Sequence, residues 1–269
     1  MKIDLQMSPA MGTWDQLRSA VIAAEEAGFD TTWVFDHFMG EMISGGSMLE
    51  PFALLGALAA STTRIGLGSL VLNIVNRHPG VIASGSATIQ ALSAGRFVLG
   101  LGAGASPTSR WGLEHRVLGI PLAPTVAQRH QNLITTLDEL DRLWAPDRDD
   151  ELATFPLPDP RPPVVIGVNG VALATIAGSR CDGLNVRASH PDLEPILIAA
   201  QEARAAAGRD PAPWDASVWT MWDESLLDPA HLERVRWEQL GVSRLVLVVL
   251  DTLAPLVKTI RSLRIEGEP

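Results

Sequence analysis

The chain predicts a single (β/α)8 TIM barrel with an extended loop after its fourth strand. Three observations lead there. Eight short apolar segments alternate with longer amphipathic ones. The clearest of the short segments, VVIGV and RLVLVVL, are apolar throughout, as expected of parallel strands covered on both faces. The chain has 269 residues, and barrels of this kind use about 250 as one unit. Residues 1–269 are therefore read as one domain.

The elements follow in order. KIDLQM (residues 2–7) is a first strand. Thr13 can cap a helix that keeps Leu17, Ala20, Val21, Ala24 and Ala27 on one face, and Gly28 ends it. TTWVFD is the second strand. Pro51 then opens the helix FALLGALAAS. RIGLGSLVLN, residues 64–73, is a long third strand, and Pro79 begins the third helix. RFVLGLG, residues 96–102, is the fourth strand. A connection over residues 103–124 breaks the rhythm.

The next helix carries Leu133, Leu137, Leu140 and Trp144 on one face. APDRDDELATFPLPDPRPP follows as an acidic, proline-rich surface excursion. VVIGV is strand five, residues 170–178 form a short helix, and DGLNVR is strand six. A helix over residues 191–207, the strand WDASVWTMW, a helix over residues 228–240, the strand RLVLVVL and a helix over residues 252–263 complete the pattern.

An open doubly wound sheet is the competing fold. GLGAGA places Gly100, Gly102 and Ala105 at dinucleotide-fingerprint spacing. However, SPTSRWG follows, and Pro107 among turn formers argues for a loop where the fingerprint needs a helix. The acidic residue expected after the next strand is also missing.

Composition narrows the function. The net charge of −10 argues against nucleic-acid partners. No apolar run reaches the ~18 residues of a membrane span. The start MKIDLQMSPA reads as a strand and shows no charged leader followed by an apolar core, so no secretion signal is expected. The one cysteine, Cys181, allows no internal disulfide, which fits a cytoplasmic protein, and it reads as a core thiol. Tyr is absent, so no phenol can serve as an acid.

Barrels carry their sites where strands end at the C-terminal face. The second strand ends on Asp36 and His37, the third near Asn73, and the fourth on Gly102, Ala103 and Gly104. The fifth ends on Asn169 and Gly170, the sixth on Asn185 and Arg187. Asp36 and His37 can equally be a solvated turn. His78, before Pro79, reads as a local cap, while His115 and His130 read as surface residues. No acids or histidines show metal-ligand spacing, so no metal is expected. No serine lies in a nucleophile elbow. In GVNGVALATIAG a strand turns into a helix at glycine. Backbone amides at such a turn can hold a phosphate, and Arg187 would add a cation. An ordinary strand–helix turn reads the same way.

Together DHF, STTRIGLGSLVLN, RHPGVIASGSATIQALSAGRFVLGLGAG and AGSRCDGLN resemble the bacterial luciferase-like monooxygenase superfamily. The match covers most of residues 1–186. Its members are (β/α)8 barrels that bind FMN or the deazaflavin coenzyme F420, and the chain looks more like the F420-dependent oxidoreductase branch.

The resemblance implies that His37 moves a proton beside the reactive ring, with Asp36 next to it. It implies a non-proline cis peptide at Ser69–Leu70, behind the ring. It implies that Asn169, Gly170 and Val171 hold the phosphate, while Asn73 and the loop Gly102, Ala103, Gly104 and Ala105 line the cofactor cavity. The family's sugar-phosphate dehydrogenases carry an acidic glutamate where this chain has Ala105, so that activity is not carried over. The loop 106–124 is a candidate for contact with a small-molecule substrate through Trp111, His115 and Arg116, or for a partner-subunit interface. Met7, Phe38, Met39 and Met42 would cover the ring.

The expectation is an enzyme that transfers a hydride between F420 and a small organic substrate, with His37 as proton partner, in a cytoplasmic homodimer. The alternative is an FMN-dependent monooxygenase that uses oxygen and a partner flavin reductase. A barrel that only binds flavin is a third reading.

Overall fold

The computed structural model describes residues 1–43, 45–263 and 265. Its strands are β1 (Lys2–Met7), β2 (Thr31–Val34), β3 (Gly66–Asn73), β4 (Phe97–Gly102), β5 (Val164–Gly167), β6 (Gly183–Arg187), β7 (Asp215–Met221) and β8 (Arg244–Val249). They pair in parallel and in chain order, and β8 returns to β1 to close the barrel. The helices are α1 (Trp14–Ala27), α2 (Pro51–Ala59), α3 (Pro79–Leu92), α4 (Leu113–Leu118), α5 (Val126–Leu143), α6 (Val171–Arg180), α7 (Leu193–Ala206), α8 (Leu232–Gln239) and α9 (Leu253–Ser262). The (β/α)8 fold is as the sequence predicts.

The cap residues act as their types dictate. Thr13 accepts a hydrogen bond from Gln16 N, Gln16 answers on the Thr13 amide, and Gly28 closes α1 at φ 95°. His78 caps α3 by accepting from Gly80 N, so it is spent locally, as its place before Pro79 suggests. Arg96 explains much of the SAGRF signature. Its guanidinium donates to the carbonyls of Ser93, Ile65, Thr62 and Ala59, tying the α2 and α3 ends to β4. That is a structural task far from the barrel mouth.

Strand parity divides the apolar residues between two cores. Ile3, Leu5 and Met7 face the helices in the main core. Asp4 and Gln6 face the barrel lumen. Trp33, Val165, Val246 and Leu70 form a smaller cluster there. A Cβ added to Gly68 would lie 2.3 Å from the Trp33 ring, so glycine makes room for the indole. Below it, Asp4 accepts from Trp33 Nε1 at 2.7 Å and from Arg244, which also reaches Asp215. Met7, expected over a cofactor, is instead fully buried against helices, because a one-residue change of parity reverses the face.

Four expectations are corrected. The non-proline cis peptide lies at Leu70–Val71, not Ser69–Leu70. The β3–β4 register explains the placement: Ser69 pairs with Leu99 and Leu72 with Leu101, so Leu70 and Val71 together oppose Gly100. The irregular pair is therefore one residue further on. Second, the connection over residues 103–124 is not all loop. It holds a 3-10 turn, Arg110–Gly112, and α4, which Gly119 ends at φ 70°. Third, His115 is fully buried rather than on the surface, because α4 folds it inward under the mouth. Fourth, α8 begins at Leu232, since a 3-10 turn (Glu224–Leu227) and the His231 cap occupy the preceding residues. Cys181 is buried and free, and burial pushes its thiol up to about 12. Among the described residues no helix is long and apolar enough to cross a membrane, and no group of three potential metal ligands occurs.

Candidate functional site

A cavity of about 970 Å³ opens at the C-terminal ends of the strands. That is large enough for a cofactor and a small substrate together. Its floor is Leu70 and Val71, its polar rim includes Gln6, Asn73 and Asn185, and its far wall is Trp219, Val248 and Leu250. Gln6 Nε2 donates to the Leu70 carbonyl, which holds the irregular part of β3 against β1.

The second strand ends at Val34, so Phe35, Asp36 and His37 belong to the mouth. Asp36 and His37 have separate partners. Asp36 is buried; its carboxylate accepts from Arg77 Nη1 at 2.7 Å and Nη2 at 3.0 Å, and from Asn73 N at 2.8 Å. Arg77 also reaches Glu50 at 2.7 Å. This bidentate pair clamps the end of β2 to the end of β3.

His37 turns the other way. Its Nδ1 lies 2.9 Å from Glu114 Oε1. Glu114 Oε2 accepts from the amides of Phe38 at 2.8 Å and Met39 at 3.2 Å. The Glu114 side chain is only 1% exposed. Burial pushes its carboxyl up, but the hydrogen bond from His37 and the two amides outweigh this and hold it below the usual range. Trp111 stacks on the His37 ring at 5.9 Å and 25°, and the Arg110 guanidinium lies over Trp111 at 4.7 Å.

Behind this layer, His115 Nε2 lies 2.8 Å from Asn76 Oδ1 and 3.2 Å from the side-chain Nδ2 of Asn73. Phe38 meets the same ring edge-on. Burial lowers the His115 pKa, so the ring is held neutral.

The cavity brings together most of the residues singled out from sequence: Asp36, His37, Leu70, Asn73, the segment 102–105, Trp111 and the turn 169–171. Other candidates lie outside its lining. Ser69 is buried and donates to the Gly100 carbonyl. His115 sits behind Asn73. Arg116 is exposed and donates to the carbonyls of Pro107 and Ser109. Arg187 is exposed, with its guanidinium 5.7 Å from the Trp219 ring. Phe38, Met39 and Met42 do not line the cavity either. Met42 packs in the core, and Ile43 takes its place on the wall.

Sequence reasoning missed Glu114, Arg129, His130 and Trp219. Glu114 has no local signal, because only the fold of α4 carries it to His37. Arg129 and His130 lie near the N-terminal end of α5 and line the cavity. Trp219, at an inward parity position of β7, could have been found by counting alternate residues.

The mouth suits a phosphorylated heteroaromatic cofactor by the chemistry of its donors. Gly170 caps α6 without any side-chain acceptor, which leaves the first amides of that helix open to an anion. A Cβ at Gly170 would meet nothing within 4 Å, so the approach is free. Arg129 adds positive charge on the same cavity, and His130 beside it, its pKa lowered by burial and by the Arg129 charge, adds a neutral ring that can hydrogen-bond. A second cavity of about 730 Å³ lies at the opposite face, but ion pairs of Arg161, Arg180 and Arg209 with Asp138, Asp141 and Asp182 cross its lining.

The comparisons with known proteins agree with this geometry. The family model described as luciferase-like monooxygenase matches residues 3–221. F420-dependent glucose-6-phosphate dehydrogenase of Microbacterium testaceum (strain StLB037) is 34% identical, covering 70% of this chain and 58% of the relative. F420-dependent hydroxymycolic acid dehydrogenase of Mycobacterium tuberculosis (strain ATCC 25618 / H37Rv) is 30% identical, over 73% and 56%. The chain thus spans less than two thirds of these curated relatives. Among solved structures, an F420-dependent secondary alcohol dehydrogenase in complex with an F420-acetone adduct superposes with a TM-score of 0.79 at 19% identity, covering 97% of this chain and 96% of that one. The F420-dependent tetrahydromethanopterin reductase of Methanopyrus kandleri superposes at 0.73 and 16%, covering 97% and 96%.

Proposed function

Because the chain belongs to the luciferase-like monooxygenase family, we propose that it is an F420-dependent oxidoreductase acting on a small organic substrate. The deazaflavin, when bound, supplies the hydride chemistry at its C5. The observation that carries the reading is one cavity with an open helix N-terminus and a partly exposed imidazole hydrogen-bonded to a buried carboxylate. The relatives named F420-dependent add support.

This chain's residues have three tasks. The amides of Asn169, Gly170 and Val171, with Arg129 and His130 nearby, bind the phosphate. Leu70, Val71, Asn73 and the segment 102–105 give the ring a mostly apolar wall with Asn73 as its polar group. His37 exchanges a proton with the substrate, since its ring lines the cavity and its Nδ1 is held by Glu114. Trp111 lies on the His37 ring and limits water there.

Titrating the purified protein with F420 and, separately, with FMN tests this. Micromolar binding of F420 with weak FMN binding supports it. Tight FMN binding with oxygen consumption would replace it with the monooxygenase reading. We propose a cytoplasmic homodimer from the family resemblance, and light scattering checks the oligomeric state.

A further inference from the structure

We propose that Glu114 is a positioning residue that fixes His37 as the Nδ1–H tautomer, so that Nε2 works as a proton acceptor toward the cavity. This rests on the reading of His37 as proton partner, and it assigns the atom that does the work.

The argument is one of donors and acceptors. The amides of Phe38 and Met39 can only donate, and both point at Glu114 Oε2. That oxygen is occupied as an acceptor. Oε1 faces His37 Nδ1 at 2.9 Å. An ionised carboxylate has no hydrogen to give, so the hydrogen between these atoms must sit on Nδ1. A neutral imidazole has one N–H, which leaves a lone pair on Nε2.

Among the described residues Nε2 makes no hydrogen bond, and the ring lies on the cavity wall. The other titratable groups nearby are engaged elsewhere: Asp36 holds Arg77, and His115 holds Asn76. Trp111 fixes the ring plane from its open face.

The consequence is directional. Neutral His37 accepts a proton at Nε2 from an O–H or N–H group of a bound molecule. The bond from that hydrogen to its heteroatom breaks, its electron pair stays on the bound molecule, and a new Nε2–H bond forms. The imidazolium so produced sits 2.9 Å from a buried carboxylate, which stabilises it. In the reverse direction the same atom returns the proton. Glu114 also lines the cavity, but both its carboxylate oxygens are engaged by His37 and the Phe38 and Met39 amides, so in this scheme it acts through His37.

Substituting Glu114→Gln should invert the ring. The amide oxygen has to stay on the two backbone donors, which turns the amide NH₂ toward Nδ1. Nδ1 must then accept, and the hydrogen moves to Nε2. Glu114→Asp keeps a carboxylate and should keep the wild-type tautomer.

The test is nitrogen NMR of ¹⁵N-histidine-labelled protein without cofactor, at a pH where the ring is neutral. His37→Gln assigns the signal. The expected result is a protonated Nδ1 in wild type and E114D, and a protonated Nε2 in E114Q. A protonated Nε2 in wild type, or an E114Q ring unchanged from wild type, overturns the proposal. If E114Q does not fold, the wild-type spectrum alone still decides. Because no cofactor is present, the outcome is separate from the F420 titration. Failure to bind F420 would remove the proposed activity and leave the tautomer assignment standing.

Discussion

Asp36 and His37 are chain neighbours with opposite commitments. Asp36 is clamped by Arg77 at 2.7 Å, while His37 reaches Glu114, 77 residues away, at 2.9 Å. The pair is a structural tie followed by a chemical group. The tie holds the turn from which the imidazole reaches the cavity.

The tie predicts a stability loss. Asp36→Ala leaves Arg77 with Glu50 alone and strands the Asn73 amide. Removing one partner of a buried ion pair costs about 3 kcal/mol or more. Urea denaturation should show that loss, and a change under about 1 kcal/mol would mean that the clamp is not holding the mouth.

The chemical group predicts the reverse profile. His37→Ala should leave F420 affinity within about threefold and lower turnover by about 10²–10⁴-fold, the usual worth of a positioned acid–base group. Turnover is read from cofactor absorbance with any substrate that screening identifies. Unchanged turnover would move the proton role elsewhere.

Gly170 separates folding from binding. It caps α6 in extended backbone, φ 171°, which any residue adopts. Gly170→Asp gives the helix an acceptor of its own, although the gain over glycine at a cap is only a few tenths of a kcal/mol. Thermal stability should hold or rise slightly. The added carboxylate would compete with a phosphate for the same amides, so F420 affinity should fall at least about tenfold. Equal affinity in wild type and variant would remove the phosphate from this turn.

His115 predicts a pH effect on stability. Burial lowers its pKa in the folded chain, while the unfolded chain keeps the ordinary value near 6.5. Below pH 6.5 the unfolded state therefore binds the extra proton first, and this contribution to stability is lost as pH falls from 6.5 through the folded value. Asp4 acts in the other direction: burial raises its carboxyl to about 6 against the pull of Arg244, so the folded state takes up that proton first as pH falls. Comparing wild type with His115→Gln isolates the histidine. The wild-type advantage should shrink between pH 7.5 and 5.5, and a constant difference would show that the ring is not held neutral.

The architecture was legible because it rests on local physics. Apolar runs such as VVIGV, caps such as Thr13 and His78, and stops such as Gly28 act over a few residues, and each was placed correctly from the chain alone. The mouth position of Asp36, His37, Asn73 and the turn 169–171 followed from strand ends, once the barrel was read. Parity was harder. Met7 and Gln6 differ by one residue, and only the closed sheet shows which faces the cavity.

By itself, the sequence determined the barrel, its family and the segments that meet at its mouth, since periodicity and turn chemistry are properties of neighbouring residues. Only the tertiary structure decided partners. It gave Asp36 to Arg77, carried Glu114 on α4 to His37, buried His115, and put Arg129 rather than Arg187 on the cavity. Those pairings join residues up to 77 positions apart, and a side chain's hydrogen-bond partner at that distance depends on how the loops pack, which no local pattern records.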